Sequence, residues 1–268
     1  MEYSDLHLET VTPLLSGILQ YLMKEPLLES FRLVGGTNLS LRYGHRYSVD
    51  IDLFTDATYG SVDFPAIDEF FARSFRYCDY FSGPIGFGKM YYIGNSKEES
   101  VKVDLMYTDK FLDPEEYYGC VRMASPRDIA AMKMEAVFTG GRKKDIWDID
   151  YLAEKVYSLD QMCNYHAQRH PYTHDRNKLL TSFKSFAEMD LQSDPICLLG
   201  KDWDDIKITM AARANSALYC YEKLLAKLGE EGINNVTITD SFPIYSARQK
   251  IGTICQYSIN GQIHSEVF

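Results

Sequence analysis

Gly35-Gly36-Thr37-Asn38-Leu39-Ser40-Leu41-Arg42-Tyr43-Gly44-His45-Arg46-Tyr47-Ser48-Val49-Asp50-Ile51-Asp52-Leu53-Phe54 is the stretch on which the reading of this chain turns. From residue 49 it alternates strictly. Val49, Ile51 and Leu53 face one side of a strand, and Asp50 and Asp52 face the other. Two carboxylates at i and i+2 stand ~6–7 Å apart along a strand. From there both reach one divalent ion, or they bracket two ions ~3.5–4 Å apart. Like charges on one face repel, and burying them is costly without a cation. At the other end, Gly35-Gly36 follows the short apolar run of residues 31–34. Backbone N–H groups there can approach an anion with no Cβ in the way, and Thr37 adds a hydroxyl donor. A helix starting at Thr37 would aim its positive end at the same anion. A diglycine alone is usually a turn; joined to an Asp-x-Asp fourteen residues later it becomes a specific signal. Arg46 has two readings that stay open: pairing with Asp50 or Asp52, or touching phosphate.

Outward from this stretch, residues 6–23 carry apolar side chains at helical spacing, residues 63–75 read as a second helix, and residues 89–94 and 100–107 read as a strand pair. The later strand alternates again and sets Asp104 mid-strand. A third carboxylate on a neighbouring strand completes an oxygen-rich set suited to Mg²⁺, with Mn²⁺ as the alternative. At Ser125-Pro126-Arg127-Asp128 the period changes with a helix-start signal. That helix carries Lys133 and stops at Gly140-Gly141. A second helix, residues 145–156, carries Asp145 and Asp148, with Lys144 just before it. Helices are expected at 159–170, 177–187 and 203–228, and then a polar tail from about 229 with short β-like runs. The expected architecture is α/β (α+β): a domain over residues 1–157 on a small mixed sheet, then a helical C-terminal domain over residues 158–268.

These motifs closely resemble the opening motif of the AbiEii/AbiGii toxin family, nucleotidyltransferases of the DNA polymerase β-like superfamily. The resemblance continues through Val101-Lys102-Val103-Asp104, residues 128–133, Lys143-Lys144-Asp145-Ile146-Trp147-Asp148 and residues 203–207, covering about residues 10–215. It implies a polymerase β-like core and NTP-dependent, metal-dependent nucleotidyl transfer. By the same resemblance Asp50 and Asp52 hold the metals, and Gly35, Gly36 and Thr37 cradle the phosphates with Ser48 beside them. Lys133 contacts the triphosphate, and Asp148 is the acidic residue of the final motif with Lys144 next to it. Asp104 stands where the superfamily often has a carboxylate that ligates metal or activates the acceptor hydroxyl. The resemblance further implies a toxin of a toxin–antitoxin or abortive-infection system, an RNA acceptor such as the 3′ end of a tRNA, and a cognate antitoxin. One position departs: Gly140 stands where the family commonly has arginine, with Arg142 two residues on. Transfer to a protein or a small molecule, and nucleotide or RNA binding without turnover, are the rival readings.

Composition narrows the field. In 268 residues, 28 Lys and Arg stand against 38 Asp and Glu, a net charge of −10 that argues against a protein coating nucleic acid or anionic membrane over its whole surface. Residues 120–145 run the other way, with six Lys/Arg against three Asp/Glu, a local +3 that can receive a triphosphate or an RNA backbone. The six cysteines are scattered without CxxC spacing, no apolar run approaches a membrane span, and the opening MEYSDLHLET lacks a leader pattern. The expectation is a cytoplasmic protein with reduced thiols and no membrane partner. His166, His170 and His174 stand at four-residue spacing, which invites zinc. Pro171 interrupts the helix between the second and third, and no cysteine apart from Cys163 is suitably placed as a partner, so the spacing reads as structural.

Overall fold

The computed structural model describes residues 1–81, 86–230, 236–246 and 249–268. In chain order its regular elements begin with α1 (Pro13–Leu22), β1 (Arg32–Leu33), α2 (Gly35–Tyr43), β2 (Asp50–Thr55), α3 (Phe64–Ser74), β3 (Tyr77–Tyr80), β4 (Gly88–Gly94) and β5 (Ser100–Tyr107). They continue with β6 (Glu116–Tyr118), β7 (Val121–Met123), α4 (Pro126–Phe138), α5 (Lys143–Lys155), α6 (Leu159–Arg169), α7 (Arg176–Thr181) and α8 (Ala187–Asp190). The last are α9 (Trp203–Glu230), β8 (Val236–Ser246), β9 (Gln249–Ile259) and β10 (Gln262–Val267). Two compact units emerge. The first is Met1–Ile129 with Ile196–Leu199, the second Ala130–Pro195 with Gly200–Phe268. Composition drew the expected boundary near residue 157. The compact units part at 129/130, within α4, and α5 packs with α9.

The first unit is built on a seven-stranded mixed sheet of order β3-β4-β5-β2-β1-β7-β6. The β2–β5 and β1–β7 pairs are parallel, and the other neighbours are antiparallel. The alternation of β2 now has a physical meaning: Ile51 and Leu53 are fully buried, while Asp50 and Asp52 are half-buried. One core joins Leu15, Leu19 and Leu22 of α1, Phe64, Ile67 and Phe71 of α3, and Tyr91, Val103 and Leu105 of the sheet. Each such side chain contributes about 1.5–3 kcal/mol on burial. Side-chain caps start three helices: Thr12 caps α1, which begins at Pro13 rather than at residue 6, Asp63 caps α3, and the Ser125 hydroxyl accepts from the Asp128 N–H at 3.1 Å where the sequence signal put the start of α4.

In the second unit the stretch that shows only short β-like runs in sequence forms a three-stranded antiparallel sheet of order β10-β9-β8. Asn260 and Gly261, both at positive φ, turn β9 into β10. Ile238, Cys255 and Tyr257 from this sheet pack on Cys220, Leu224 and Leu228 of α9. Among the described residues no helix is long and apolar enough to cross a membrane.

Candidate active site

Parallel register sets the carboxylates. Asp50 pairs with Lys102 and Asp52 with Asp104 across β2 and β5. Partners in a ladder point to the same face, so three carboxylates and one amine share it. The Lys102 amine is paired with Asp104 Oδ2. Burial pulls the Lys102 pKa down, but the Asp104 hydrogen bond and the charges of Asp104, Asp52 and Asp50 outweigh it and hold the amine above its ordinary value. Asp104 Oδ1 is buried with no hydrogen-bond partner among the described residues. A carboxylate oxygen withdrawn from water in that state is costly. A hard cation would satisfy it, and an all-oxygen set of Asp50, Asp52 and Asp104 matches what Mg²⁺ prefers. The residues present therefore fit a divalent metal.

The diglycine has a steric reason. The Val34 N–H bonds the Asp52 carbonyl at 2.9 Å, which joins the end of β1 to the middle of β2 just where α2 begins. Gly35 lies in the left-handed region at φ 70°, and a Cβ there would collide with the Asp52 carboxylate. A Cβ on Gly36 would collide with Nη2 of Arg46. The helix starts at Gly35, two residues before the expected position, so Gly35, Gly36 and Thr37 form its first turn. First-turn amides have no intrahelical acceptor and face an anion favourably. The buried Thr37 hydroxyl lies 2.8 Å from the Ser48 hydroxyl and donates to the Asp50 carbonyl, so it and Ser48 fix the loop leading into β2. Arg46 is buried against the diglycine, its Nη1 donating to the Tyr47 carbonyl at 2.9 Å. Its backbone bridges to Cys197, and the Tyr47 N–H reaches the Ile196 carbonyl at 2.9 Å.

Lys133, Lys144 and Asp148 belong to the second unit. Lys133 Nζ lies 2.7 Å from both Asp145 Oδ1 and Asp148 Oδ2, and all three side chains are buried. Arg142 adds a contact from Nε to Asp145 Oδ2 at 3.1 Å. Burial would raise the Asp145 pKa, yet the Lys133 and Arg142 charges hold it below its ordinary value. The Arg142-Lys143-Lys144 run is not a uniform solvated patch. Lys143 is buried, pairs with Asp194 at 2.8 Å and lies over the Trp203 ring, while Lys144 is half-buried in the first turn of α5. Sequence reasoning missed Lys102 as a member of the carboxylate face. The strict alternation of residues 101–105 was the signal, since it puts Lys102 and Asp104 on one side.

A profile described as nucleotidyl transferase AbiEii toxin, type IV toxin–antitoxin system, matches residues 17–217, about three quarters of the sequence. The chain belongs to the AbiEii nucleotidyltransferase toxin family. An uncharacterised protein of Aquifex aeolicus is 31% identical over 140 residues, a match covering 48% of this chain and 60% of that protein. Among solved structures, JHP933 from Helicobacter pylori superposes with a TM-score of 0.50 at 16% identity, over 82% of this chain and 95% of that one, a likeness of fold. MenT4, a nucleotidyltransferase toxin of Mycobacterium tuberculosis H37Rv, aligns over 75% of this chain and 82% of its own at 11% identity and a TM-score of 0.46.

Proposed function

We propose that this AbiEii-family chain transfers a nucleotide from a nucleoside triphosphate to an acceptor hydroxyl, releasing pyrophosphate, in a reaction that requires a divalent cation. The observation that carries the reading is Asp104 Oδ1, buried and without a hydrogen-bond partner among the described residues, on the sheet face it shares with Asp50 and Asp52. Bound Mg²⁺ or Mn²⁺ supplies charge neutralisation at the phosphate oxygens and makes a coordinated hydroxyl more acidic. Asp50, Asp52 and Asp104 hold it. The amides of Gly35, Gly36 and Thr37 donate to phosphate oxygens at the start of α2, and Ser48 with the Thr37 hydroxyl keeps that turn in place. The acceptor oxygen attacks the α-phosphorus, the bond from that phosphorus to the pyrophosphate oxygen breaks, and the hydroxyl proton passes to a carboxylate of the cluster. Lys102, paired with Asp104 Oδ2, holds that carboxylate in place. Lys133, aligned by Asp145 and Asp148, is assigned to the triphosphate, with Lys144 as a second nucleotide contact. Positioning and charge neutralisation are what phosphoryl-type transfer chiefly asks of a protein.

Family membership supports a toxin of a toxin–antitoxin or abortive-infection system, with a cognate antitoxin as partner and an RNA, the 3′ end of tRNA, as acceptor in the cytoplasm. The test is incubation with each of the four labelled NTPs and total RNA, with and without Mg²⁺. Label should enter tRNA only with the metal, and Asp50→Ala should abolish both transfer and growth inhibition. Label in protein or in a small molecule would replace the acceptor. NTP binding without pyrophosphate, or undiminished toxicity of the Asp50→Ala variant, would overturn the transfer itself.

A further inference from the structure

The second unit holds another group of ligand-type side chains, chemically unlike the carboxylate face. Glu135 lies on α4, His166 on the last turn of α6, His170 at the C-cap of that helix, and His174 in the turn after it. Candidate donor atoms of Glu135, His166 and His170 all lie within 4.8 Å of one another. The His166 ring is fully buried, and both of its nitrogens are engaged. Nε2 is 2.7 Å from Glu135 Oε2, and Nδ1 is 2.7 Å from His174 Nδ1. The His170 and His174 rings lie 4.9 and 5.0 Å from it, centroid to centroid.

As it stands this is a relay. The carboxylate only accepts, so Nε2 of a neutral His166 carries its proton, and Nδ1 accepts from His174. The same arrangement has the parts of a transition-metal centre. Two imidazoles four residues apart and a carboxylate from a second helix converge on one point, as metal sites in helical bundles do. A metal-bound imidazole needs its other nitrogen fixed by a hydrogen bond, and His174 is already on that nitrogen. The sequence spacing seemed to lack a third ligand because it was sought along the histidine segment, past Pro171. The fold supplies Glu135 from a different helix instead.

We propose that Glu135, His166 through Nε2, and His170 form a binding site for a zinc-class divalent cation, with His174 orienting His166 and water completing the shell. Binding widens the 2.7 Å Glu135–His166 contact toward the ~3.3 Å that bonds of about 2.0–2.1 Å require around a tetrahedral ion. It also shifts a tautomer in each of two rings. The His166 proton moves from Nε2 to Nδ1, where it is donated to His174 Nδ1, and the His174 proton moves to its own Nε2. Both imidazoles stay neutral. Glu135 is 31% exposed, which leaves the ion a way in. Donor chemistry sorts the two centres, since imidazole suits zinc and its neighbours while an all-carboxylate face suits magnesium. A cation here ties α6 to α4 two residues beyond Lys133.

The test uses the full chain, stripped with a chelator and then titrated with Zn²⁺ against a chromophoric competitor, and with Co²⁺ for its visible spectrum, both in excess Mg²⁺. One equivalent should bind with a Kd below ~1 μM and give the Co²⁺ bands of nitrogen and oxygen ligation. Glu135→Gln and His170→Asn should each weaken uptake at least tenfold. His174→Gln, which disturbs the contact on His166 Nδ1 and no ligand atom, should weaken it about 10–100-fold. Glu135→Gln sits at the exposed edge of the cluster and guards against loss of fold at the histidines. Asp52→Asn, which loses nucleotide transfer, should still take up the equivalent of Zn²⁺, so this proposal and the transfer reading fail separately. No stoichiometric uptake by the parent chain, or full uptake by both Glu135→Gln and His170→Asn, overturns the site.

Discussion

Lys102 puts an amine on the face of three carboxylates proposed to hold a divalent cation, where it would compete with that cation for Asp104. Replacing it with methionine removes one positive charge from the cluster and keeps most of the apolar stem. The Mg²⁺ concentration at the midpoint of the thermal-shift titration should fall several-fold for Lys102→Met, because the cation then meets the three carboxylates uncompensated. An unchanged midpoint would show that the metal does not share this face with the amine. Gly35 answers to two constraints at once, a positive φ and the Asp52 carboxylate where a Cβ would be. Gly35→Ala should cost about 1–3 kcal/mol in urea denaturation. It should also lower nucleotide transfer more than Gly36→Ala, whose obstacle is the far end of a long arginine.

At the scale of elements, a buried asparagine, with Thr37 and Arg42, ties α2 to the strands around it. The Asn38 amide donates to the Leu33 and Ala124 carbonyls at 2.8 and 3.0 Å, and its oxygen accepts from Arg42 at 2.9 Å, all close to the strand that leads into the diglycine. Asn38→Ala removes one of two donors from each of these carbonyls, since the Ala124 N–H also bonds the Leu33 carbonyl and Arg42 Nη2 also bonds the Ala124 carbonyl, and should cost about 0.5–1.5 kcal/mol by urea denaturation. A change below 0.5 kcal/mol would mean that water replaces the amide. Much of this region was legible. The β2 alternation was clear because its inward positions are aliphatic and its outward positions are acids. The α2 segment was ambiguous because Leu39, Leu41 and Tyr43 fit period 2 as well as a helix; the left-handed Gly44, whose N–H bonds the Ser40 carbonyl, closes it as a helix. The C-terminal sheet was illegible for a different reason. Its inward residues include Thr253, Cys255 and Tyr257, while Ile263 and Val267 are 77% and 66% exposed, so hydrophobicity does not track burial there. Asp145 and Asp148 could be placed on one helix face from their spacing. Nothing local indicated that Lys133 of the preceding helix lies between them, since that contact depends on how two helices pack.

Over the whole molecule, buried charge makes stability depend on acidity. The Lys133 and Arg142 charges hold the Asp145 carboxyl below its ordinary value of 3.8 against the opposing effect of burial. A carboxyl depressed in the folded state adds stability that is complete above the unfolded value and is lost as pH falls through the folded one. The stability gap between the parent chain and Asp145→Asn should therefore be constant from pH 7 to about 5 and should shrink below about pH 4, measured by urea denaturation at each pH. A gap that persists at pH 3 would assign the effect to packing. The free cysteines, none joined in a disulfide, predict a melting temperature unaffected by reductant.

The first unit is discontinuous, since Ile196–Leu199 returns to pair with the backbone of residues 45–47 behind the diglycine turn. On a ribosome adding about 5–20 residues per second, that segment follows residue 129 by roughly 3–13 s. During that interval the emerging polypeptide has its acids and glycines but lacks the strap that lies along Arg46. A nascent chain of this design thus lacks part of its first unit until residue 199 has been added, and a message truncated before the codon for Ile196 yields a product without that brace.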